Sequence, residues 1–409
     1  MPEKIVIVGG GQAGGRVAQI LADSSKELDI TLIGSEPYPP YNRPPLSKGV
    51  LLGTAKLSDC AIWSGEDAAT RHVRFVGGRR VEALNLEAQR VVLDGGETVS
   101  YDKLVLATGS QARQLRVPGA EIAGVGTLRT FDDARRIAQQ FHKGKRLLVV
   151  GGGFVGLEIA AAARAQGMET VVVEATNRLL SRIVPEEIGA ALERCHSQAG
   201  VTFKVGAMVE SLRSGRSGQL TSAVLSNGEI IKCDLAAIGV GATAETDLAK
   251  AAGLEVQVGI RTDECLRASA PNVYACGDVA SFWHPLYLRY VRVEAWQNAE
   301  DHAQVVAGQI LGQDTRCDSV PFFWSDQYDQ SLQIVGIPYF GSQVIKIEVE
   351  NAEVLYHLDA RRRMVAATAL GHHSAIGRKI SEARRLIKLK VEVNPQDLLD
   401  GTAPKKLEL

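Results

Sequence analysis

Two glycine-rich segments have the spacing that binds the phosphates of a dinucleotide. Gly9–Gly14 (GGGQAG) follows an apolar stretch at residues 5–8, and Gly151–Gly156 (GGGFVG) follows another at residues 147–150. In the pattern G-x-G-x-x-G the first glycine makes a tight turn, and the second lets the backbone approach a pyrophosphate. The third glycine lets the next helix pack closely, and the N-terminus of that helix attracts the phosphate charge.

A carboxylate about 20 residues further on accompanies each glycine pattern. Glu36 follows an apolar stretch at residues 30–33, and Glu174 ends another at residues 170–173. A carboxylate in this position accepts hydrogen bonds from a ribose hydroxyl. A Rossmann unit that binds nothing is the alternative for either segment, but strand, helix and carboxylate signals accompany both patterns. The sequence therefore predicts two dinucleotide sites.

The elements that must position these loops are βαβ units, which imply parallel sheets covered by helices. Residues 73–105 predict short strands, and residues 200–240 predict more, with a hairpin at Asn227-Gly228. The predicted fold class is α/β, with two Rossmann-type dinucleotide-binding domains and a C-terminal α+β domain. In the C-terminal α+β domain we expect strands at 332–335, 343–349 and 354–358 and a basic helix near 380–389. The predicted domains are 1–113 with 242–321, then 114–241, then 322–409.

Composition excludes several function classes. The 46 basic and 47 acidic residues give a net charge of −1, without the basic excess of a nucleic-acid binder. No apolar run approaches the roughly 20 residues of a membrane span, and the first strand begins too early for a signal peptide, so we expect a cytoplasmic protein. The six cysteines form no C-x-x-C or C-x-x-x-x-C pair, which favours buried structural thiols over a metal site.

Further motifs carry a family resemblance. Leu104–Gly109 and Val273–Asp278 resemble the second and third flavin motifs of the two-dinucleotide-binding flavoprotein reductases. Arg43–Lys48, together with Trp324–Gln327, is similar to the NADH-dependent ferredoxin reductases of bacterial oxygenase systems, the putidaredoxin reductase and biphenyl dioxygenase ferredoxin reductase type. The resemblance spans the whole chain and implies a glutathione-reductase-like arrangement that binds FAD and NADH.

The resemblance assigns residues to each cofactor. Those expected at FAD are Gly9, Gly11, Gln12, Ala13, Gly14, Glu36, Arg43, Lys48, Val81, Ala107, Thr108, Gly109, Asp278, Glu294, Ala295 and Trp296. Those expected at NADH are Gly151, Gly153, Phe154, Val155, Gly156, Glu158, Glu174, Arg182 and Gly241.

The catalytic residues that the resemblance implies are Lys48, placed beside the flavin N5, and Glu158, placed near that lysine and the nicotinamide. Asp278 is expected to bind the ribityl or pyrophosphate part of FAD, Arg43 its phosphates or adenosine, and Phe154 is expected to gate the nicotinamide pocket. Without the motif, Lys48 would be read as a solvated turn lysine and Asp278 as a turn aspartate.

Glu174 also favours NADH over NADPH, because a carboxylate repels a ribose 2′-phosphate. Arg178 and Arg182 lie downstream, and arginine accommodates that phosphate in NADPH enzymes. Arg178 could equally contact the cofactor pyrophosphate or solvent.

The expected reaction is hydride transfer from NADH to FAD, followed by one-electron transfers to a [2Fe-2S] ferredoxin. That ferredoxin would feed a haem-thiolate monooxygenase or a Rieske dioxygenase. Disulfide reductases of this fold carry redox cysteines where this chain has Tyr41–Lys48, a segment without cysteine. The alternatives are a rubredoxin reductase, an NADH oxidase, or an NADH-sensing interaction protein like apoptosis-inducing factor.

A basic patch would help an acidic ferredoxin to dock. The candidates are Arg289, Arg292, Arg384, Arg385, Lys388 and Lys390. A solvated helix face is the alternative for the last four, which we place on the C-terminal helix. We expect the run Arg361–Arg363 in an exposed turn.

Overall fold

The computed structural model describes residues 1–24, 26–63 and 73–402. The chain forms two compact units. The first unit contains Met1–Pro44, Lys56–Gln111 and Ala242–Pro321. The second unit contains Pro45–Ala55, Ala112–Gly241 and Phe322–Leu409.

The first unit is built on a parallel sheet of five strands. In spatial order they are Val273–Ala275, Lys103–Leu106, Glu3–Val8, Leu28–Gly34 and Val73–Gly77. Ile5, Val6 and Ile7 are all buried, as expected for a central strand covered on both faces. The first glycine pattern joins this strand to the helix Gln12–Ala22, which buries Val17 and Leu21.

The parallel sheet of the second unit has the same order in its four other strands, but its edge strand Val125–Thr127 precedes them in the sequence, whereas Val273–Ala275 follows them in the first unit. Its strands are, in the same spatial sense, Val125–Thr127, Leu235–Ile238, Arg146–Val150, Glu169–Glu174 and Val201–Val205. The second glycine pattern joins the central strand to the helix Phe154–Ala165. The two Rossmann-type sheets predicted from the sequence are therefore confirmed.

Smaller elements complete both units. In the first unit the other strands are Val81–Asn85, Arg90–Leu93, Thr98–Ser100, Ser110–Ala112, Ala242–Ala244, Ile260–Thr262, Ala280–His284 and Arg289–Val291. Its other helices are Leu57–Cys60, Asp247–Ala251 and Trp296–Ile310, with a short 3-10 helix at Gly277–Val279. Another 3-10 helix, Pro44–Ser47, begins on the last residue of the first segment of this unit, and its other three residues belong to the second unit. In the second unit a three-stranded sheet contains Val209–Ser214, Leu220–Leu225 and Ile230–Lys232, and the expected hairpin at Asn227-Gly228 is present. Its other helices are Phe131–Ala138, Glu186–Gln198 and Pro395–Leu399, with a 3-10 helix at Pro338–Phe340.

The C-terminal part of the second unit is an antiparallel sheet covered by the helix His373–Leu389. Its strands, in spatial order, are Phe322–Gln327, Gln330–Gly336, Met364–Gly371, Ala352–Leu358 and Gln343–Val349. Leu332 and Leu370 of this sheet share one hydrophobic cluster with Leu157, Ile188 and Leu192. This common core explains why the C-terminal sheet groups with the second glycine loop. The three-domain division made from the sequence stays a prediction.

Several C-terminal details differ from the sequence-based expectations. The strands Phe322–Gln327 and Met364–Gly371 were not predicted, and the basic helix starts at His373, seven residues before the expected position. Lys390 lies just after this helix rather than on it, in a left-handed conformation with φ 54°. Over the described residues, no helix combines the length and hydropathy that crossing a membrane requires.

Candidate functional site

In each glycine loop, the first and third glycines lie so close to other backbone atoms that a side chain would not fit. Gly9 and Gly151 have φ values of 119° and 107°, which side chains rarely tolerate. A Cβ atom on Gly14 would overlap the carbonyl oxygen of Gly9, and one on Gly156 would overlap that of Gly151. The carbonyl oxygen of Ala107 backs Gly9 in the same way, so this predicted FAD residue supports the loop.

The helix that follows each loop begins without a competing side chain. Gly11 and Gly153 are the N-cap residues, no side chain in the described part of the chain caps either helix, and neither first turn contains an acidic residue. By contrast, Thr130 caps the helix Phe131–Ala138 through a complete capping box. The first-turn N–H groups after Gly11 and Gly153 are therefore left for an anion such as a pyrophosphate.

The side chain of Gln12 is a second observation that indicates a bound ligand at the first loop. Its Nε2 donates to Glu300 Oε1 at 2.7 Å, whereas its Oε1 is buried and has no hydrogen-bond partner among the described residues. A buried acceptor without a donor is costly, and a bound hydroxyl group would satisfy it. The residues of this loop therefore fit a dinucleotide.

Glu36 lies in a polar corner beside the first loop. Tyr41 donates its hydroxyl hydrogen to Glu36 Oε2 at 2.5 Å, and Arg43 Nη2 donates to Glu36 Oε1 at 3.0 Å. The same guanidinium lies 3.7 Å from the position of a Cβ on Gly11. Arg43 is thus held where a phosphate approaching Gly11 would meet its charge. Sequence reasoning missed Tyr41, which orients the carboxylate.

Asp278 and the preceding Gly277 are each held by a residue that sequence reasoning did not single out. Ser110 Oγ donates to Asp278 Oδ2 at 2.8 Å, and the Gly277 N–H donates to His302 Nδ1 at 3.1 Å. Complete burial lowers the pKa of His302 to about 3, so its ring stays neutral and Nδ1 stays an acceptor. Ser110 directly follows Thr108-Gly109 in the sequence, whereas His302 gave no signal in its helix.

The other predicted FAD residues of the first unit have mainly internal partners. Trp296 Nε1 donates to Asn42 Oδ1 at 3.0 Å, and Thr108 Oγ1 donates to the Glu245 carbonyl at 2.7 Å. Glu294 accepts from Arg292 at 2.6 Å. Ala13 and Ala295 are buried, Val81 is half-buried, and the carbonyl of Gly109 accepts from the Glu245 N–H at 2.9 Å.

The second unit brings Lys48 and Glu158 together, although they are 110 residues apart. Lys48 Nζ lies 2.9 Å from Glu158 Oε1, and the side chains are 29% and 10% exposed. Ser47 donates its hydroxyl hydrogen to Glu158 Oε2, and Ser325 Oγ donates to Oε1 at 2.6 Å. The carboxylate is therefore shielded and faces one ammonium and two hydroxyl groups. Both serines lie in the sequence motifs Arg43–Lys48 and Trp324–Gln327, which indicated no role for either.

Phe154 begins the same helix as Glu158. Its ring packs against the ring of Phe323, with centroids 4.2 Å apart and an interplanar angle of 38°. Val155, the next residue, is 42% exposed. Phe154 therefore lies at the N-terminus of this helix, next to the exposed apolar side chain of Val155.

Glu174 is fixed beside the second glycine loop. The Gly152 N–H donates to its Oε2 at 2.7 Å, and the N–H and hydroxyl of Thr176 both donate to Oε1 at 2.8 Å. Arg178 donates to the carbonyl oxygens of Ser181 at 2.8 Å and Val184 at 3.0 Å. Arg178 therefore has partners within its own loop, a role that the sequence analysis did not consider.

Arg182 and Gly241 complete the predicted nicotinamide set. Arg182 is exposed. Gly241 has φ 101° and accepts from the Arg113 N–H at 3.0 Å.

The basic candidates for docking differ in exposure. Arg384 lies over the Phe322 ring at 4.8 Å, whereas Lys388 and Lys390 are exposed. Arg289 is exposed, Arg385 is half-buried, and Arg292 pairs with Glu294. The expected exposed turn at Arg361–Arg363 is confirmed, and its last two arginines pair with Glu392 and Asp359.

The cysteines behave as structural thiols. Five are buried, and Cys195 is partly buried. Burial raises the pKa of both Cys233 and Cys276 to about 12, so neither forms a reactive thiolate near neutral pH.

Comparison with known proteins decides the family. Residues 3–303 match the pyridine nucleotide-disulphide oxidoreductase family, and residues 322–407 match the reductase C-terminal family. The chain belongs to the pyridine nucleotide-disulphide oxidoreductase family. As a member of it, the protein is an oxidoreductase that depends on FAD and NAD(H).

Relatives within this family are similar over four fifths of the chain or more. The anthranilate 1,2-dioxygenase system ferredoxin–NAD(+) reductase component of Burkholderia cepacia is 38% identical over 409 residues, 98% of each chain. Putidaredoxin reductase of Pseudomonas putida is 37% identical over 339 residues, 82% of this chain and 80% of that protein. The reductase in a covalent putidaredoxin reductase–putidaredoxin complex superimposes with a TM-score of 0.93 at 32% identity, covering 98% of this chain and 97% of that one.

Proposed function

We propose that this oxidoreductase passes electrons from NADH, through FAD, to a [2Fe-2S] ferredoxin that serves an oxygenase. The observation that carries the proposal is the shielded pair of Lys48 and Glu158 in a chain without redox-active cysteines at Tyr41–Lys48. The similarity to reductases named for ferredoxin and putidaredoxin supports the choice of acceptor.

Each glycine loop would hold one cofactor. At the first loop, the N–H groups after Gly11 and the guanidinium of Arg43 would bind phosphate, while Gln12 and Asp278 would accept from hydroxyl groups. At the second loop, the N–H groups after Gly153 would bind the nicotinamide nucleotide. Bound FAD and NADH would supply the redox chemistry, two electrons entering together and leaving singly.

Lys48 and Glu158 would act at the nicotinamide end of the second unit. Their charges balance each other in a partly shielded environment, where electrostatic interactions are stronger than in bulk water. The hydroxyl groups of Ser47 and Ser325 hold the carboxylate, so Glu158 in turn fixes the ammonium of Lys48. We infer that this arrangement orients the nicotinamide and excludes water.

Electrons would leave without a thiol relay. Tyr41–Lys48 has no cysteine, and the thiols of Cys233 and Cys276 are protonated near neutral pH. A docked one-electron carrier would therefore receive electrons directly. A cytoplasmic location, with access to the cellular NADH pool, is part of this proposal.

The acceptor is tested by steady-state turnover of the purified holoenzyme with NADH. We expect a [2Fe-2S] ferredoxin to be reduced with a much higher kcat/KM than rubredoxin or dioxygen. Preferential reduction of rubredoxin, or turnover with dioxygen that ferredoxin does not accelerate, would contradict the proposed acceptor.

The ion pair is tested by stopped-flow reduction of the bound flavin by NADH. Lys48→Ala and Glu158→Gln each remove a charged hydrogen-bond partner, so we expect reduction to slow by roughly 10- to 100-fold. Glu169→Gln is the matched control, because this glutamate is exposed and lies at the start of the next strand. Normal rates in both test variants would refute the role of the pair.

A further inference from the structure

A chain of polar side chains within the second unit ends on the carboxylate of Glu158. Ser325 Oγ lies 2.6 Å from Glu158 Oε1, and Gln327 Nε2 lies 2.9 Å from Ser325 Oγ. His196 Nε2 lies 2.6 Å from Gln327 Oε1, and the Tyr328 hydroxyl lies 3.0 Å from His196 Nδ1. Four consecutive contacts thus connect Glu158 to Tyr328, which is 42% exposed.

The strand and helix that carry this chain bury its polar groups. Ser325 and Gln327 are two residues apart on one strand, so both point to the same face, and they are 1% and 2% exposed. Asp326 between them is exposed, and His196 on the helix Glu186–Gln198 is fully buried. Burying polar groups is costly unless they are hydrogen-bonded, and apolar side chains would fill this space at lower cost.

The direction of every hydrogen bond follows from the carboxylate. Glu158, paired with Lys48, only accepts, so Ser325 donates its hydroxyl hydrogen to Glu158 and accepts from the Gln327 amide. The Gln327 carbonyl then faces His196, whose Nε2 must carry the ring proton. His196 Nδ1 is left to accept from the Tyr328 hydroxyl.

The ionisation states agree with this direction. Burial lowers the pKa of His196, which keeps the ring neutral, and burial raises the pKa of Tyr328 to about 12, which keeps its hydroxyl hydrogen. All four donors therefore point toward Glu158.

The backbone at the outer end is also unusual. Tyr328 is the first residue of the two-residue loop between the strands Phe322–Gln327 and Gln330–Gly336, and its φ is 58°. Glycine is the residue favoured in that conformation. A tyrosine here places its ring against His196, with centroids 4.9 Å apart, and so closes the chain.

We propose that Ser325, Gln327 and His196 are positioning residues that hold the Glu158 carboxylate toward Lys48, with Tyr328 closing the chain at the surface. The inference rests on the proposed function of Glu158. Gln327 fixes the rotation of the Ser325 hydroxyl, and His196 fixes the Gln327 amide. Breaking the chain at any point frees the hydroxyl to turn away from the carboxylate.

The first test is stopped-flow flavin reduction by NADH in Ser325→Ala and Gln327→Leu. We expect Ser325→Ala to slow reduction by about 10-fold or more, and Gln327→Leu to slow it by a smaller factor. The neighbouring strand offers a matched pair, Ser331 and Gln333, which are 4% and 5% exposed and lie 3.4 Å apart. Ser331→Ala and Gln333→Leu should leave the rate within twofold of the wild type, and equal slowing in both pairs would overturn the proposal.

A double-mutant cycle shows whether Ser325 acts through Glu158. In a Glu158→Gln background, Ser325→Ala should add less than about a twofold effect. The same factor in both backgrounds would overturn the positioning role. Normal reduction in Glu158→Gln alone would refute the proposed function of that carboxylate, whereas slow reduction there with a normal rate in Ser325→Ala refutes only the chain.

The second test examines the chain of hydrogen bonds directly, without enzyme turnover. Nitrogen-15 NMR of the histidine rings in the oxidised holoenzyme near neutral pH, assigned with His196→Gln, should show His196 as the neutral Nε2–H form. Gln327→Leu should remove this tautomer preference, whereas Gln333→Leu should not. A neutral Nδ1–H form or a protonated ring at His196 would overturn the proposed direction.

Discussion

Replacing Glu174 with glutamine tests which nicotinamide nucleotide the second glycine loop selects. Three internal donors, the N–H of Gly152 and the N–H and hydroxyl of Thr176, hold the carboxylate beside the loop. Glutamine keeps the length of the side chain and one oxygen for the Gly152 N–H. It removes the negative charge that a ribose 2′-phosphate would meet.

The size of the effect follows from Coulomb's law. Two unit charges about 4 Å apart repel by about 1 kcal/mol in water and by about 4 kcal/mol at an effective dielectric constant near 20. Glu174 is half-buried, so we take about 2.5 kcal/mol, which corresponds to roughly 70-fold. Arg178 is held away from a direct contact with that phosphate, because its guanidinium donates to the carbonyl oxygens of Ser181 and Val184.

The assay is stopped-flow flavin reduction with NADH and with NADPH. In Glu174→Gln the ratio of kcat/KM for NADH to that for NADPH should fall by about that factor, mainly through faster reaction with NADPH. Glu169→Gln, at the exposed start of the same strand, should leave the ratio unchanged. An unchanged ratio in Glu174→Gln, or an equal fall in both variants, would show that the charge of Glu174 does not select the nucleotide.

Three further predictions concern the cofactor, the partner and acid stability. Gly14→Ala places a Cβ against the Gly9 carbonyl oxygen and should lower FAD affinity by about 10-fold or more, measured by flavin retention on dialysis; full retention contradicts the loop assignment. Arg384→Glu with Lys388→Glu should raise the KM for ferredoxin about 10-fold without slowing flavin reduction, and an unchanged KM places the docking surface elsewhere. Burial lowers the pKa of His302 to about 3 and of His357 to about 4, so between about pH 6.5 and pH 4 the unfolded chain binds more protons. As pH falls through this range, the free energy of unfolding should fall by about 2.7 kcal/mol per pH unit because of these two groups. In His357→Phe, urea unfolding should show half of this pH dependence. The same pH dependence in the variant and the wild type would contradict the role of His357.

The features that sequence reasoning predicted are those with a local pattern. Each glycine loop combines an apolar strand, a turn and a helix start within about 20 residues, and both sheets formed around these loops as expected. The Asn-Gly pair likewise predicted the hairpin turn at Asn227-Gly228, because Gly228 tolerates the φ of 83° that the turn requires.

The features that it missed depend on buried or long-range contacts. Met364–Gly371 is buried on both faces and rich in alanine, so it has neither the alternation nor the β-branched composition of a recognisable strand. Ser325 and His302 act through partners 167 and 25 residues away in the chain, at Glu158 and Gly277. The sequence gives the types of such residues, but only the folded structure shows which groups they contact.

Electron transfer from NADH through FAD to ferredoxin is tested most directly by an anaerobic titration of the purified flavin-loaded protein with NADH, followed by oxidised [2Fe-2S] ferredoxin. We expect rapid bleaching of the flavin absorbance by NADH and then its recovery, matched by reduction of two ferredoxin molecules for each NADH consumed. Flavin that stays bleached in the presence of ferredoxin and recovers only when air is admitted would contradict this expectation.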